Sequence, residues 1–390
     1  GSCRRRKWDL LTPALTSRPD LFKCGAGLLN ASEIIVDLLS FIKADMTNDI
    51  EFNRIALQQF AFQFAHNKPF AKFARARGKT PRTVTSWTDI PAVPIGAFKA
   101  SEMTCCPPSE AEALFMTSGT TSSLSRGKIY HQSLSVYDAS MRSNFSKRFM
   151  GGVEQIKMGI LFPTIEQMPN SSLAYYLNLA KRDFGLPGSS HLIGEAGIDF
   201  DRLIADLVHA ETTGQPYALL GASFSLVHAL DGLKNRGFSV NLPTGSRILD
   251  TGGFKGQSRE LMLNEFYNSL SSTFNVPRSH CINMYGMTEL STQFYDNGNT
   301  VSPSVKSGPC WVNTRVVNPL TGAERPKGES GVLIHTDLAH VNIVTTILTE
   351  DIGIETDDGF FLLGRAAGTV AKGCSMAVDE FLTVTGSAGT

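Results

Sequence analysis

Thr117-Ser-Gly-Thr-Thr-Ser-Ser-Leu-Ser-Arg-Gly-Lys128 follows directly on the apolar run Ala113-Leu-Phe-Met116. A loop of small hydroxyls and glycine that ends in basic residues suits a polyphosphate. Gly119 lets the backbone approach closely, Ser118, Thr120 and Thr121 donate to phosphate oxygens, and Arg126 and Lys128 neutralise charge. It is not a Walker loop. Seven residues separate Gly119 from the Gly127-Lys128 pair where that motif needs four, and Ile129 follows the lysine in place of Ser or Thr. A flexible Ser/Gly linker has the same composition, so this loop alone leaves both readings open.

A second stretch, Asn283-Met-Tyr-Gly-Met-Thr-Glu289, follows the β-compatible Cys281-Ile282. Tyr285 presents an aromatic face for a purine, Gly286 a turn, Thr288 a hydroxyl, and Glu289 a carboxylate. Mg²⁺ commonly binds through one or two carboxylates plus substrate phosphates, which suits Glu289. Together the two loops resemble the core motifs of the adenylate-forming superfamily of acyl-CoA synthetases, peptide-synthetase adenylation domains and luciferases. Three more fragments follow the same order. Asp250-Thr-Gly-Gly-Phe-Lys-Gly256 resembles the glycine turn beside adenine, with Gly252 and Gly253 at its centre. Leu348-Thr-Glu-Asp-Ile-Gly353 resembles the segment whose aspartate, here Asp351, binds the ribose hydroxyls. Leu362-Leu-Gly-Arg365 resembles the Gly-Arg that ends the large domain, and the resemblance implies that Arg365 approaches the nucleotide.

Members of that superfamily commonly carry a further domain with a catalytic lysine after the Gly-Arg hinge, whereas 25 residues follow Arg365 here. That length, with Phe162-Pro-Thr-Ile-Glu-Gln-Met-Pro-Asn-Ser-Ser-Leu173, Leu220-Gly-Ala-Ser-Phe224 and Gly364-Arg-Ala-Ala-Gly-Thr-Val-Ala-Lys-Gly-Cys-Ser375, resembles the acyl-protein synthetase (LuxE-type) family. The resemblance implies an acyl-accepting cysteine near the C-terminus, and Cys374 holds the matching position. A thiolate attacks a mixed anhydride readily; Gly373 would allow close approach and Lys372 would lower the thiol pKa. The chain departs from the family pattern at Ser122-Ser123-Leu124, where a further glycine is usual, and at Ala367 and Ala371, where more polar residues are expected.

The expected fold class is α/β: the large domain of an adenylate-forming enzyme, with stacked α/β subdomains, a small β-rich subdomain and a truncated C-terminal tail. Residues 1–110 read as a helical region packed on the core, 111–365 as the adenylation core, and 366–390 as a short tail replacing the usual C-terminal domain. Helices are expected at 31–44, with Ser32 as a possible N-cap, and at 51–66, 171–184, 200–210, 224–236 and 258–271. Strands are expected at 310–317, 330–336, 343–349 and 359–363.

The 390 residues are 42% apolar and 18% charged, with formal net charge zero. Such a chain has ample core and no electrostatic case for nucleic acid as a partner. No apolar run reaches transmembrane length, and no apolar segment follows the basic cluster Arg4-Arg-Arg-Lys7 to make a secretory signal. Seven scattered cysteines without a CxxC pair suggest a reducing cytosol rather than a disulfide framework or zinc site. Oligomeric state is not legible in the sequence.

Other candidates are weaker. Gly25-Ala-Gly-Leu-Leu-Asn30 begins like a dinucleotide fingerprint but ends in Asn, and reads as a loop. Gly221, Ala222, Ser223 and Phe224 lack the final glycine of a hydrolase elbow and read as a strand-to-helix turn lining an acyl pocket. His335 and His340 share no helical face and read as structural or surface residues. His131, just beyond the phosphate loop, is a candidate substrate contact, and Lys255, beside the adenine turn, a candidate for stabilising charge on the reacting carboxylate or α-phosphate.

The expected activity is ATP- and Mg²⁺-dependent conversion of a carboxylic acid, fatty acyl by the resemblance, to acyl-AMP. Transfer to a thiol follows: Cys374, then a reductase or carrier-protein partner. The alternatives are a ligase loading CoA or a carrier phosphopantetheine, and a non-catalytic adenylate-binding protein.

Overall fold

The computed structural model describes residues 31–117, 126–253 and 258–386. Ser118, Gly119, Thr120, Thr121, Lys255 and the Gly25–Asn30 segment lie outside the described residues. In chain order the elements are α1 (Ala31–Ala44), α2 (Asp49–His66), α3 (Lys68–Ala76), β1 (Val93–Pro94), α4 (Ala97–Ala100), β2 (Ala113–Met116), β3 (Lys128–His131), α5 (Ser135–Phe145), β4 (Lys157–Leu161) and α6 (Ser172–Phe184). Then come β5 (Ser190–His191), β6 (Ile193–Gly194), β7 (Gly197–Ile198), α7 (Phe200–Thr213), β8 (Tyr217–Ala222), α8 (Ser223–Asn235), β9 (Arg247–Thr251), α9 (Leu263–Phe274) and β10 (Cys281–Tyr285). The last third holds β11 (Phe294–Tyr295), β12 (Val305–Lys306), β13 (Val312–Val317), β14 (Ser330–Asp337), β15 (Thr346–Glu355), β16 (Phe360–Arg365) and α10 (Gly368–Thr385).

Strands β11-β10-β9-β8-β4-β5 form one sheet, parallel except for the β10–β11 pair. The alternation along β8 shows why both faces are covered. Ala218, Leu220 and Ala222 enter the core built with α5 and α6, whereas Tyr217 and Leu219 enter a second core with α7, α8 and α9. Successive strand residues point to opposite faces, so an unbroken apolar run is the signature of a sheet buried on both sides. Gly221 suits the close approach of β8 to β4, because a β-carbon at that position would sit 3.0 Å from the Leu161 β-carbon, tighter than ordinary van der Waals contact.

The second sheet runs β12-β16-β15-β14-β13 antiparallel, with β1 added parallel to β15. Buried amides join the N-terminal helices to it. Gln63 donates to the Val341 carbonyl at 2.8 Å and accepts from the Thr345 N–H at 3.0 Å, and Asn67 donates to the Ile343 carbonyl at 2.9 Å.

The two sheets meet along β10 and β11, where a buried ion pair fixes the junction. Lys306 Nζ lies 2.7 Å from Asp296 Oδ2, and Asp296 also accepts from the Asn283 and Gly298 N–H groups, Asn299 and Ser304. Removing one partner of such a pair leaves an uncompensated buried charge. Lys306→Met is therefore expected to destabilise by about 3–5 kcal/mol, read as a lower denaturant midpoint. An unchanged midpoint would remove the pair from the set of junction contacts.

Several elements differ from the expectation. Helix α1 begins at Ala31, so Ser32 lies in its first turn rather than at the N-cap. Helix α9 runs Leu263–Phe274 rather than 258–271, since the buried positions Phe266, Tyr267, Leu270 and Phe274 set its register. Strand β15 continues to Glu355, while Val341, Ile343 and Val344 fill a buried turn before it. Residues 366–390, read without an element, contain the 18-residue helix α10. Its glycines and β-branched residues give it weak intrinsic propensity, and packing on α3, α4, β1 and β15 stabilises it instead.

Candidate active site

The carboxyl ends of parallel strands are where open α/β sheets bind ligands. Here β9 and β10 deliver Thr251-Gly252-Gly253 and Tyr285-Gly286 to that edge side by side, and the Thr251 hydroxyl donates to the Met284 carbonyl at 3.0 Å. Gly252 has φ +75°, a conformation that glycine adopts without the β-carbon penalty. Behind the turn, Asp250 accepts from Ser223 Oγ (3.0 Å), Tyr267 Oη (3.0 Å) and Asn283 Nδ2 (2.9 Å). Burial pushes its carboxyl up to about 6. Of the candidate acyl-pocket residues, Gly221 and Ala222 end β8 and Ser223 and Phe224 begin α8, the expected strand-to-helix turn. Ser223 spends its hydroxyl on Asp250 and on the Thr251 carbonyl, so its role in this conformation is to brace the glycine turn.

Across the seam, Tyr285 Oη donates to Asp351 Oδ2 at 2.8 Å and lies 3.3 Å from His335 Nε2. Its ring packs against Phe294, His335 and Phe360 and is 8% exposed. The phenol thus orients the ribose-binding candidate from beneath. Arg365 Nε approaches Asp351 Oδ1 at 3.4 Å, and its fork also holds Glu350 at 2.9 Å. Burial raises the Asp351 carboxyl, while the Tyr285 hydrogen bond and Arg365 act in the opposite direction. The sequence spreads Tyr285, Asp351 and Arg365 over 80 residues, and folding brings them into one hydrogen-bonded group.

The loop after β10 carries Thr288 and Glu289. Thr288 Oγ1 lies 3.3 Å from Ser172 Oγ, in the first turn of α6, which Ser171 caps through the Ala174 N–H. Glu289 is buried, and desolvation pushes its carboxyl up to about 7. Among the described residues no cation sits within ion-pair distance of it. A buried carboxylate with no ion-pair partner of its own fits a hard divalent cation shared with substrate phosphates. Among the described residues no cluster of three His, Cys, Asp or Glu forms a self-sufficient metal cage.

Asp337 holds this loop in place. It accepts from the Ser291 N–H (2.9 Å), the Thr292 N–H (2.8 Å) and hydroxyl (2.7 Å), and the Ala339 N–H (2.9 Å). Asp337→Ala is expected to cost about 2–4 kcal/mol, since several buried donors lose their acceptor, and to lower adenylation together with the thermal midpoint. A variant that melts like the wild type would show that the loop is held by other contacts.

Thr117 and Gly127 form the neck of the candidate phosphate loop, whose residues 118–125 lie outside the described residues. Thr117 N–H donates to the Gly127 carbonyl at 3.0 Å, and Gly127 N–H to Thr117 Oγ1 at 2.9 Å. Met116 N–H donates to the Asn170 carbonyl at 2.8 Å, which ties the β2–β3 hairpin to the segment before α6. Arg126 and Lys128 are exposed at this neck. His131 points inward, buried against Phe115 and Tyr137, and burial pushes its imidazole down to about 4. His335 and His340 are likewise buried; both are interior residues and neither is a surface one.

Cys374 lies on the inner face of α10, 4% exposed, with Sγ 3.9 Å from the Thr349 carbonyl. Burial and the charges of Glu350 and Asp351 push its thiol up. The expected lowering by Lys372 is absent, because that lysine projects into solvent while the thiol is desolvated. Gly373 serves packing, since a β-carbon there would meet Pro319 and Leu320 at 3.1 Å. The reasoning from sequence did not single out Ser172, His335 as a Tyr285 partner, or Asp337. Only Ser172 carried a local signal, the Ser-Ser pair that opens a helix.

The sequence model of the family "Acyl-protein synthetase, LuxE" matches residues 29–383. A long-chain-fatty-acid–luciferin-component ligase of Vibrio harveyi is 24% identical over 349 residues, covering 86% of this chain and 89% of the relative. One from Aliivibrio fischeri is 22% identical over 306 residues, covering 77% and 78%. Among solved structures, 2-hydroxyisobutyryl-CoA ligase in its postadenylation state matches with TM-score 0.58 and 14% identity, over 83% of this chain and 70% of that one. That likeness shows the fold, which is that of the adenylate-forming enzymes. With nine-tenths of its length under one family model, the chain belongs to the acyl-protein synthetase, LuxE family.

Proposed function

We propose that this ligase activates a long-chain fatty acid with MgATP and passes the acyl group through Cys374 to a partner protein. The observation that carries the proposal is the Tyr285–Asp351–Arg365 group beside buried Glu289, at the carboxyl edge of the parallel sheet. The vicinal ribose hydroxyls donate to Asp351, which Tyr285 and Arg365 hold in place. Adenine lies between the Gly252-Gly253 turn and the rim of Tyr285-Gly286. The phosphates extend toward Thr288 and the hairpin that carries Ser118, Gly119, Thr120, Thr121 and Lys128. The fatty chain runs along the Gly221–Phe224 turn. Glu289 would hold Mg²⁺, which would supply charge neutralisation at the phosphates.

In the first half-reaction a carboxylate oxygen bonds to the α-phosphorus, the bond to the β-phosphate oxygen breaks, and pyrophosphate leaves with the electron pair. Thr288 and Lys255 meet the charge that develops on the carboxylate and α-phosphate. In the second, a thiolate adds to the acyl carbon, the bond to the AMP oxygen breaks, and AMP departs. Positioning and charge neutralisation supply most of the rate, as in phosphoryl transfer. Cys374 must shed its proton first, and its buried setting opposes that. The reactive thiol therefore belongs to a state in which α10 has shifted from β15.

One observation favours a second reading, in which CoA or a carrier thiol is the acceptor: Cys374 is buried and its pKa is raised. The test of the first half-reaction is fatty-acid-dependent exchange of labelled pyrophosphate into ATP. Exchange with long-chain acids supports the activity, and none with any acid contradicts it. The five described cysteines are free, and no described helix is long and apolar enough to cross a membrane.

A further inference from the structure

Glu289 and the phosphates it would face need cations, and the described residues supply few. The two whose charges bear on the Glu289 carboxylate are Arg365 and Lys99. Arg365 is already engaged by Glu350 and Asp351. Lys99 is exposed on α4, and among the described residues its ammonium makes no ion pair or hydrogen bond.

Its position is fixed from two sides. The segment before it is strapped to β15, the strand of Asp351, by the pairs Val93–Ile347 and Pro94–Leu348 and by the Ile95 N–H donating to the Leu348 carbonyl at 3.0 Å. The other side rests on the phosphate-loop hairpin. The Phe98 β-carbon lies 3.4 Å from where a β-carbon on Gly127 would sit, and Tyr130 Oη donates to Glu102 at 3.4 Å. Lys99 thus stands on a braced turn between the ribose carboxylate, Glu289 and the neck of the phosphate loop.

We infer that Lys99 is a catalytic residue of the adenylation step, its ammonium meeting the α-phosphate as the carboxylate attacks and pyrophosphate leaves. A strongly hydrated point charge on a flexible stem suits an oxygen whose charge grows during reaction. The chemistry would otherwise depend on cations at the loop neck and on Lys255. The inference rests on the adenylation proposed above, and it places a cation on a segment N-terminal to every motif that pointed to nucleotide binding.

The test compares wild type, Lys99→Ala and Lys99→Arg in two assays: fatty-acid-dependent ATP–pyrophosphate exchange, and deacylation of chemically supplied acyl-AMP by thiol. Lys99→Ala is expected to lose about 100-fold in exchange kcat, the scale for removing one charge-stabilising group, with partial recovery in Lys99→Arg. Transfer from supplied acyl-AMP should fall at least about tenfold less than exchange, because no bond forms or breaks at the α-phosphorus in that step and no pyrophosphate leaves. Wild-type exchange with Lys99→Ala alongside it within about threefold would overturn the role of Lys99 alone. Equal losses in both assays would mark Lys99 as a structural residue and overturn it as well. Absence of exchange in the wild type would defeat the adenylation reading, and the inference with it.

Discussion

Cys374→Ser is expected to eliminate protein-bound thioester while leaving fatty-acid-dependent pyrophosphate exchange within about threefold, since a residue used only after adenylation cannot lower the first barrier. The geometry sharpens this expectation. Cys374 faces β15 from the inner side of α10 and is 4% exposed, so α10 must move before a partner protein can reach a thioester there. The helix can be pinned. A β-carbon built on Gly96 would lie 3.6 Å from the Val378 β-carbon, within the spacing of a disulfide, and Gly96 has φ −59°, which any residue adopts. The Gly96→Cys, Val378→Cys double variant, oxidised, should retain exchange but lose acyl transfer by about 50-fold or more, with recovery on reduction. Undiminished transfer in the oxidised form would mean that Cys374 works from its buried position or is bypassed by an external thiol.

Glu289→Gln is expected to lower exchange by about 100- to 1,000-fold while making the folded chain more stable at neutral pH. The sign follows from the raised carboxyl. Its pKa goes from 4.5 to about 7 on folding, so the folded state binds the proton more tightly than the unfolded chain. That contribution to stability is complete below about 4.5 and is lost as pH rises through about 7. Glutamine is neutral throughout, so it should gain about 1–3 kcal/mol over the wild type above pH 7 and little near pH 4.5. Thermal midpoints at pH 5 and pH 8, taken without nucleotide, read the effect. Asp250 titrates in the same window in both proteins and cancels in the difference. A gap equal at the two pH values would contradict the buried-carboxylate assignment.

The parts of the site that the sequence made legible are those where backbone and chemistry coincide locally. Tyr285-Gly286 and Gly252-Gly253 sit at strand ends, and an apolar strand followed by a glycine turn is visible in one dimension. Much of what holds the site together is long-range and left no such trace. Asp337 gathers donors from residues 291 and 292, some 45 positions away, and nothing in its own neighbourhood announces that role. Helix α10 was missed because Gly368, Gly373 and its β-branched residues argue against a helix, and tertiary packing overrides them. Lys99 was missed because one lysine on a four-residue helix resembles any solvated lysine until the strap to β15 and the contact with Gly127 are seen.

The most direct test of the proposed two-step chemistry is intact-protein mass spectrometry after incubation with MgATP and a panel of long-chain fatty acids, run beside Cys374→Ser. A mass increase equal to the acid less water on the wild type, reversed by hydroxylamine and missing from Cys374→Ser, is the predicted result. Pyrophosphate exchange without an adduct on the wild type, or an equal adduct on Cys374→Ser, would contradict acyl transfer through Cys374.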